Sequence, residues 1–227
     1  VAEADLQEDT VSSVVLDLET RTATVTTSVE SIRDQASIPQ VARQEIRETF
    51  RRQASERNAT SALHLVDGET KDVVVSSDPD AEGKSVSTLG YAPPVGLTAG
   101  EPEIRLSTSY GKSWVVYTKT ESGDLVLHET PLSYFTTELE GVLDESRTRI
   151  VNSQGVVVYD SVSTARVGTQ HIAQPGVDSR AVAAGFDTPG TAAAVTLNAS
   201  NSPSGDRVVS AYNRVEGAQW TVVSYAS

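Results

Sequence analysis

The chain has 227 residues, of which 38% are hydrophobic and 22% are charged, as in a folded protein with one large domain or two small ones. Its 31 acidic residues against 18 basic ones give a formal net charge of −13, which repels nucleic acid and anionic lipid surfaces. The absence of cysteine from the sequence excludes disulfides, thiol nucleophiles and thiolate metal sites.

The first segment of the chain has the spacing of a long helix. Small or apolar residues recur in steps of three and four, which predicts one helix over about residues 3–37. These positions are Val11, Val14, Leu18, Thr22, Val25, Val29, Ile32 and Ala36. The segment is rich in β-branched residues, which form isolated helices poorly, so we expect it to pack against another element. Its heptad-like stripe also predicts a homodimer through this helix. Ser37 is expected to cap a second helix that ends near Arg57.

Beyond residue 60 the hydrophobic period changes to two, which predicts β-strands. The first five predicted strands cover 62–66, 72–76, 103–110, 113–118 and 124–129. A short amphipathic segment follows at 133–145, and five further strands cover 149–152, 156–160, 192–198, 207–212 and 220–225. Each set opens with a strand, a turn and a strand, and each closes with a three-strand meander.

The two sets of strands align with each other. Val66 corresponds to Val151, and Gly83 to Gly168, both at a displacement of 85 residues. A repeat of this length indicates two copies of one small sheet domain rather than a solenoid. We therefore predict an α+β protein with two helices in 1–60, a first sheet unit in 61–145 and a second in 146–227.

Three stretches carry a family resemblance: HLVDGETKDVVVSSDPDAEGKSV and RIVNSQGVVVYDSVSTARVG at the two openings, and RVVSAYNRVEGAQWTVVSYAS at the end. With the long first helix, this arrangement resembles the double Cache family of extracytoplasmic sensor domains. The resemblance implies two tandem PAS-like units, each an antiparallel five-stranded sheet flanked by helices. It also implies an extracellular fragment of a membrane-anchored chemotaxis transducer or sensor histidine kinase, which suits a chain that starts at Val1. The first, membrane-distal unit would bind a small-molecule ligand and transmit a conformational shift to the membrane helices.

The distribution of charge suggests a salt-rich environment. Only four of the basic residues are Lys, and the acidic residues are spread along the whole chain. This profile resembles proteins of halophilic archaea, where dispersed carboxylates hold water and counterions and high salt screens their repulsion. An ordinary acidic extracellular domain would have a similar charge, and this alternative stays open.

A ligand pocket is expected on the meander strands of the first unit and on the loop before them. Family members that bind amino acids carry an Arg-x-Trp-Tyr run before the third strand, a Tyr at its end and an Asp at the end of the fifth. Residues 87–103 lack that run, whereas Tyr110 stands at the Tyr position and either Glu129 or Thr130 stands near the Asp position. The predicted ligand-binding residues are Tyr91, Arg105, Tyr110, Trp114, Tyr117, His128 and Glu129. Arg would pair with a ligand carboxylate, and the aromatic residues would line the cavity. Alternatively, Trp114 and Tyr117 only pack the sheet, one on each face, because they lie three residues apart.

Other chemistry finds little support in the sequence. The stretch DPDAEG at 78–83 matches part of a calcium loop, but Leu89 occupies the twelfth position, where a bidentate Glu is needed. We therefore predict no metal and no cofactor. The three histidines occur without a GxSxG, HExxH or phosphate-binding motif, so no enzymatic activity is predicted and a secreted hydrolase is disfavoured. The alternative to a sensor is a structural or adhesive cell-surface module without a small-molecule ligand.

Overall fold

A computed structural model describes residues 2–36, 38–56, 62–107, 113–133, 147–171, 193–196, 209–215 and 220–226. Within them, two helices, α1 (Ala2–Gln35) and α2 (Pro39–Ser55), are followed by ten strands. The strands are β1 (Ala62–Val66), β2 (Val73–Ser76), β3 (Glu103–Ser107), β4 (Ser113–Lys119), β5 (Leu125–Pro131), β6 (Arg147–Asn152), β7 (Val157–Asp160), β8 (Ala193–Thr196), β9 (Val209–Val215) and β10 (Trp220–Ala226). The predicted α+β class, with a helical N-terminal region and antiparallel sheets, is confirmed. The amphipathic segment predicted at 133–145 falls outside the described residues, except at its first position.

The apolar stripe of helix α1 packs on the first sheet, and this packing stabilises the helix. Val25 and Val29, two members of the stripe, pack against Leu63 and Leu65 of β1. Thr22 belongs to the same stripe and is also fully buried. This burial supplies the tertiary support that a helix rich in β-branched residues needs. Neither described helix is both long enough and apolar enough to cross a bilayer.

The start of α2 differs from the prediction. Ile38 occupies the N-cap position, not Ser37, and its side chain makes no capping hydrogen bond. Ser37 itself lies outside the described residues. The physical reason is Pro39, which fits the first turn of a helix and holds the residue before it in an extended conformation.

The ten strands form two antiparallel sheets of five. The strand order is β2-β1-β5-β4-β3 in the first sheet and β7-β6-β10-β9-β8 in the second. A register shift also recurs, between Leu65 and Val66 against β2 and between Ile150 and Val151 against β7. The two sheets therefore share both their strand order and the place of an irregularity.

The chain divides into two compact units. The first unit is Asp17–Tyr134 and contains β1 to β5, and the second is Val1–Leu16 with Phe135–Ser227 and contains β6 to β10. Helix α1 contributes residues to both units. The boundaries predicted from the sequence at residues 60 and 145 stay a prediction.

The first sheet buries both of its faces. The helix-side face packs Leu63, Leu65 and Val126 against α1 and α2. The loop-side face packs Val66, Tyr117, Leu127 and other strand residues against the segment between β2 and β3, which contributes Ala81, Val86, Leu89 and Tyr91. Because side chains alternate along a strand, the odd-numbered residues of β4 and β5 lie on the loop-side face and the even-numbered ones on the helix-side face.

Candidate ligand-binding site

A chain of five buried polar side chains crosses the loop-side face of the first sheet. Its members, none more than 6% exposed, are Ser76, His64, Tyr91, Glu129 and Ser113. His64 Nδ1 lies 2.8 Å from the Ser76 hydroxyl, and His64 Nε2 lies 3.0 Å from the Tyr91 hydroxyl. The hydroxyls of Tyr91 and Ser113 donate to the two carboxylate oxygens of Glu129. These five hydrogen-bonded side chains link strands β1, β2, β4 and β5 to the loop that carries Tyr91.

The hydrogen bonds of this chain run in one direction. Tyr91 gives its single hydroxyl proton to Glu129, so it accepts from His64, whose proton is therefore on Nε2. His64 Nδ1 then accepts from the Ser76 hydroxyl, which itself accepts from the backbone N–H of Asp78 at 2.9 Å. Ser76, His64 and Tyr91 therefore each donate to the next side chain in the series, which ends at Glu129, the only carboxylate among the five.

His64 and Tyr117, two titratable groups on the same face as Glu129, are both uncharged at neutral pH. Burial lowers the pKa of His64 from 6.5 to about 4, although the negative charge of Asp78 acts in the opposite direction. The ring is therefore uncharged at neutral pH. Burial likewise raises the pKa of Tyr117, on the same face, to about 12, and a hydrogen bond with the backbone of Ala92 partly opposes this. Both described hydrogen-bond partners of the Glu129 carboxylate are hydroxyls.

The structure brings together four of the seven predicted site residues on the loop-side face. Tyr91, Tyr117 and Glu129 are buried there. Arg105 of edge strand β3 pairs with Val115 and so shares this face, but it is about half exposed and binds Glu103 at 2.6 Å.

The other predicted residues are placed differently. Trp114 and His128 lie on the helix-side face, where Trp114 is fully buried and His128 Nδ1 is 3.2 Å from the Thr22 hydroxyl of α1. Trp114 and Tyr117 thus face opposite sides, as their spacing predicts. Tyr110 lies outside the described residues. Of the seven, Trp114 and His128 are separated from the buried carboxylate by the sheet itself.

Sequence reasoning missed His64, Ser76 and Ser113 as members of the site. His64 did carry a signal, since it is the one polar residue in the strand ALHLV. The two serines carried none, because a serine at a strand end is common and its partner lies elsewhere in the chain.

The acidic turn after β2 uses its carboxylates within the protein. Asp78 accepts from the backbone N–H of Asp80 at 3.0 Å, and Glu82 is held by Arg47 of α2 at 2.8 and 2.9 Å. Hydrogen bonds from Arg47 lower the pKa of the Glu82 carboxyl. Across the described ranges, no group of three His, Asp or Glu side chains is arranged to hold a metal ion.

Neither a protein-family model nor a curated protein matches the sequence. Solved structures match it over its whole length. The extracellular domain of rpHK1S-Z16, described as a histidine kinase, is 14% identical with a TM-score of 0.67, covering 100% of this chain and 91% of that one. The sensory domain of the Campylobacter jejuni chemoreceptor Tlp3 is 12% identical with a TM-score of 0.60, covering 100% and 92%. The ligand-binding domain of the Pseudomonas fluorescens chemoreceptor CtaA, in complex with L-serine, is 14% identical with a TM-score of 0.60, covering 99% and 93%. The chain therefore has the fold of these sensory domains.

Proposed function

We propose that this chain is the extracellular ligand-sensing domain of a transmembrane signal transducer, with two PAS-like units in a double Cache arrangement. A small solute binds on the loop-side face of the first sheet. The observation that carries the proposal is the buried Glu129 carboxylate, held by Tyr91 beneath a loop, in a fold whose solved neighbours are sensory domains. Neither a catalytic activity nor a cofactor is part of the proposal.

The chemistry of the face favours a solute with an ammonium group. A carboxylate whose partners are neutral hydroxyls gains a stronger, charge-assisted hydrogen bond when an ammonium replaces one of them. Solved structures contain Tlp3 with isoleucine or L-valine and CtaA with L-serine. Arg105 lies on the same face, and its present partner Glu103 is an exposed one. Exposed ion pairs contribute about 0–1 kcal/mol, so Arg105 can turn to a solute carboxylate at little cost.

Two contacts connect this site to α1. Glu129 and His128 are neighbours on β5 that face opposite sides, and His128 contacts Thr22 of α1 at 3.2 Å. The hydroxyls of Thr26 on α1 and Thr118 on β4 form a second contact at 3.1 Å. A solute that takes Glu129 from Tyr91 changes the position of β5 and of the loop, and the shift reaches α1 through these polar contacts. The solute moves this equilibrium only by the difference in its affinity for the two states, about 1.4 kcal/mol per tenfold.

The predicted homodimer through α1 also belongs to this proposal. Val25 and Val29 of the predicted stripe are already buried against β1. A dimer must therefore use another face of the helix, such as the one on which Leu16 is 63% exposed. Light scattering at high salt and high protein concentration that finds monomer alone would contradict it.

A thermal-shift screen of amino acids, organic acids, purines and sugars in multimolar salt tests the sensor proposal. A ligand present at a hundred times its dissociation constant stabilises the folded state by about 2.7 kcal/mol and raises the melting temperature. We expect an ammonium-bearing solute to give this shift, Glu129→Gln to abolish it, and Glu121→Gln, at an exposed turn position, to leave it unchanged. If no compound shifts the melting temperature, the chain is better explained as a structural or adhesive module.

A further inference from the structure

A second carboxylate lies at the other end of the hydrogen-bonded series that ends at Glu129. Ser76 is the first side chain of the series, and its backbone N–H donates to Glu82 Oε1 at 3.1 Å. Ser76 is also the last residue of β2, which is an edge strand of the first sheet. The Glu82 carboxylate therefore satisfies an N–H group at the open edge of the sheet. The side chains of Ser76, His64 and Tyr91 thus lie in a row between two carboxylates.

Arg47 of α2 occupies the carboxylate of Glu82. Its Nε donates to Oε1 at 2.8 Å and its Nη2 donates to Oε2 at 2.9 Å, in the two-bond geometry that suits a guanidinium and a carboxylate. Both side chains are partly buried, with 22% and 25% of their surface exposed. The hydrogen bonds from Arg47 lower the pKa of the Glu82 carboxyl, which is therefore ionised at neutral pH and already has strong donors. The two described hydrogen-bond partners of Glu129, by contrast, are neutral hydroxyls.

The hydrogen bonds between the two carboxylates have two possible directions. A hydroxyl donates one proton while it accepts others, and a neutral imidazole carries its proton on either nitrogen. His64 is neutral because burial lowers its pKa to about 4. In the observed direction Ser76 donates to His64 Nδ1, and Nε2 donates to Tyr91. In the opposite direction Tyr91 donates to Nε2, Nδ1 donates to Ser76, and the Ser76 hydroxyl proton turns to Glu82. The number of protons is the same in both: the ring proton moves to the other nitrogen by exchange with water, and two hydroxyls rotate.

We propose that Arg47 is a positioning residue of the solute site, because by occupying Glu82 it directs the series of hydrogen bonds toward Glu129. Without Arg47, Glu82 is a partly buried carboxylate that lacks its strong donors, and leaving a charged group unsatisfied costs free energy. Ser76, whose backbone already contacts Glu82, carries a hydroxyl that can donate to it. The series then reverses, and His64 carries its proton on Nδ1.

The reversal makes Glu129 easier for a solute to bind. In the observed direction an ammonium group has to displace the Tyr91 hydroxyl from Glu129. In the reversed direction Tyr91 donates to His64, so the ammonium group meets a carboxylate that has lost one of its two described donors. Loss of Arg47 should therefore tighten the binding of an ammonium group, whereas damage to the fold would weaken it. This consequence rests on the proposed function, but the tautomer of His64 does not.

Two variants break the same ion pair and have opposite expected results. Arg47→Met leaves the Glu82 carboxylate without the guanidinium, so His64 should change from the Nε2–H to the Nδ1–H tautomer. Glu82→Gln removes the competing carboxylate, so the Nε2–H tautomer should remain, as it should in the double variant. Arg47→Lys keeps a charge and a donor for Glu82 and should also retain it. Arg43→Met, one turn earlier on α2 at an exposed position, is the matched control and should behave as the wild type.

NMR of the intact chain labelled with ¹⁵N-histidine at neutral pH shows which ring nitrogen carries the proton. The chain has three histidines, and His64→Gln assigns the signal of that ring. The proposal is overturned if folded Arg47→Met keeps the Nε2–H tautomer, or if Glu82→Gln loses it as well. If Arg47→Met does not fold, Arg47→Gln, which removes the charge and keeps an N–H donor, has the same expected result.

Calorimetric titration with methylammonium chloride, with sodium chloride as the control, measures the effect on the solute site. We expect Arg47→Met to bind methylammonium about tenfold more tightly than the wild type, because a hydrogen bond to the Glu129 carboxylate no longer competes. Weaker binding in a variant that shows the reversed tautomer would overturn the link between Arg47 and the solute site. If methylammonium binds to no variant and no ammonium-bearing solute stabilises the wild type, the proposed function fails, and the tautomer alone decides whether Arg47 directs the series.

Discussion

The free energy of unfolding should decrease as the pH falls below about 6.5, because His64 is buried without a charge. Burial lowers the pKa of His64 from 6.5 to about 4. Between these values the unfolded chain binds a proton at this ring and the folded chain does not, so acid favours the unfolded state. The stabilisation is complete above pH 6.5, decreases as the pH falls toward 4 and is constant below it.

The size of the effect follows from the difference between the two pKa values. A shift from 6.5 to about 4 corresponds to roughly 3 kcal/mol when the titration is complete. Between pH 7.5 and pH 5.0 the loss should be about 2 kcal/mol. The lower limit of this range stays above the pI of about 4.6, where solubility would be poorest.

Urea unfolding of the wild type and of His64→Gln at pH 7.5 and 5.0, at constant salt, measures this loss. Glutamine keeps an amide N–H for the Tyr91 hydroxyl but does not titrate. We expect the wild type to lose about 2 kcal/mol more than the variant over this interval, because other titrating groups contribute equally to both proteins. Equal losses in the two proteins would refute the claim that His64 is buried without a charge, whatever the absolute stabilities of the two proteins.

Two further predictions concern packing and charge. Gly68→Ala should destabilise the first unit by about 1–3 kcal/mol in urea unfolding, because a Cβ there would lie 2.2 Å from the backbone oxygen of Gly123; an unchanged midpoint would contradict this. Arg149→Met and Asp160→Asn should each be destabilising, and a double-mutant cycle should give a coupling energy above about 1 kcal/mol, since each change breaks the buried ion pair between Arg149 and Asp160. Additive effects of the two changes would show that the pair does not act as a unit.

The sequence predicted the elements better than it predicted their faces. β1 occupies Ala62–Val66 as expected, and α1 ends within two residues of its predicted limit, because hydrophobic period is a strong local signal. The predicted N-cap of α2, Ser37, was wrong. Pro39 is the first residue of the helix and makes Ile38 the N-cap. Sequence patterns therefore predict an element well where its hydrophobic period is clear, and less well where two neighbouring residues compete for one position.

The candidate site shows where local rules stop. Tyr91 and Glu129 were predicted, but the contact of Tyr91 with His64 spans 27 residues and its contact with Glu129 spans 38. Trp114 and His128 were grouped with them because they lie on the same strands. Which alternate residues of a strand face the loop depends on where α1 packs, and a two-residue period does not encode this.

The most direct measurement of the central claim uses NMR of the intact chain labelled with ¹³C at tyrosine, titrated with the solute found by thermal shift. If the solute binds on the loop-side face of the first sheet, the signals of Tyr91 and Tyr117 move with its concentration, while that of Tyr159 in β7 stays in place. The Tyr91 signal is assigned with Tyr91→Phe. A titration that moves Tyr159 and leaves Tyr91 and Tyr117 unchanged would contradict the claim.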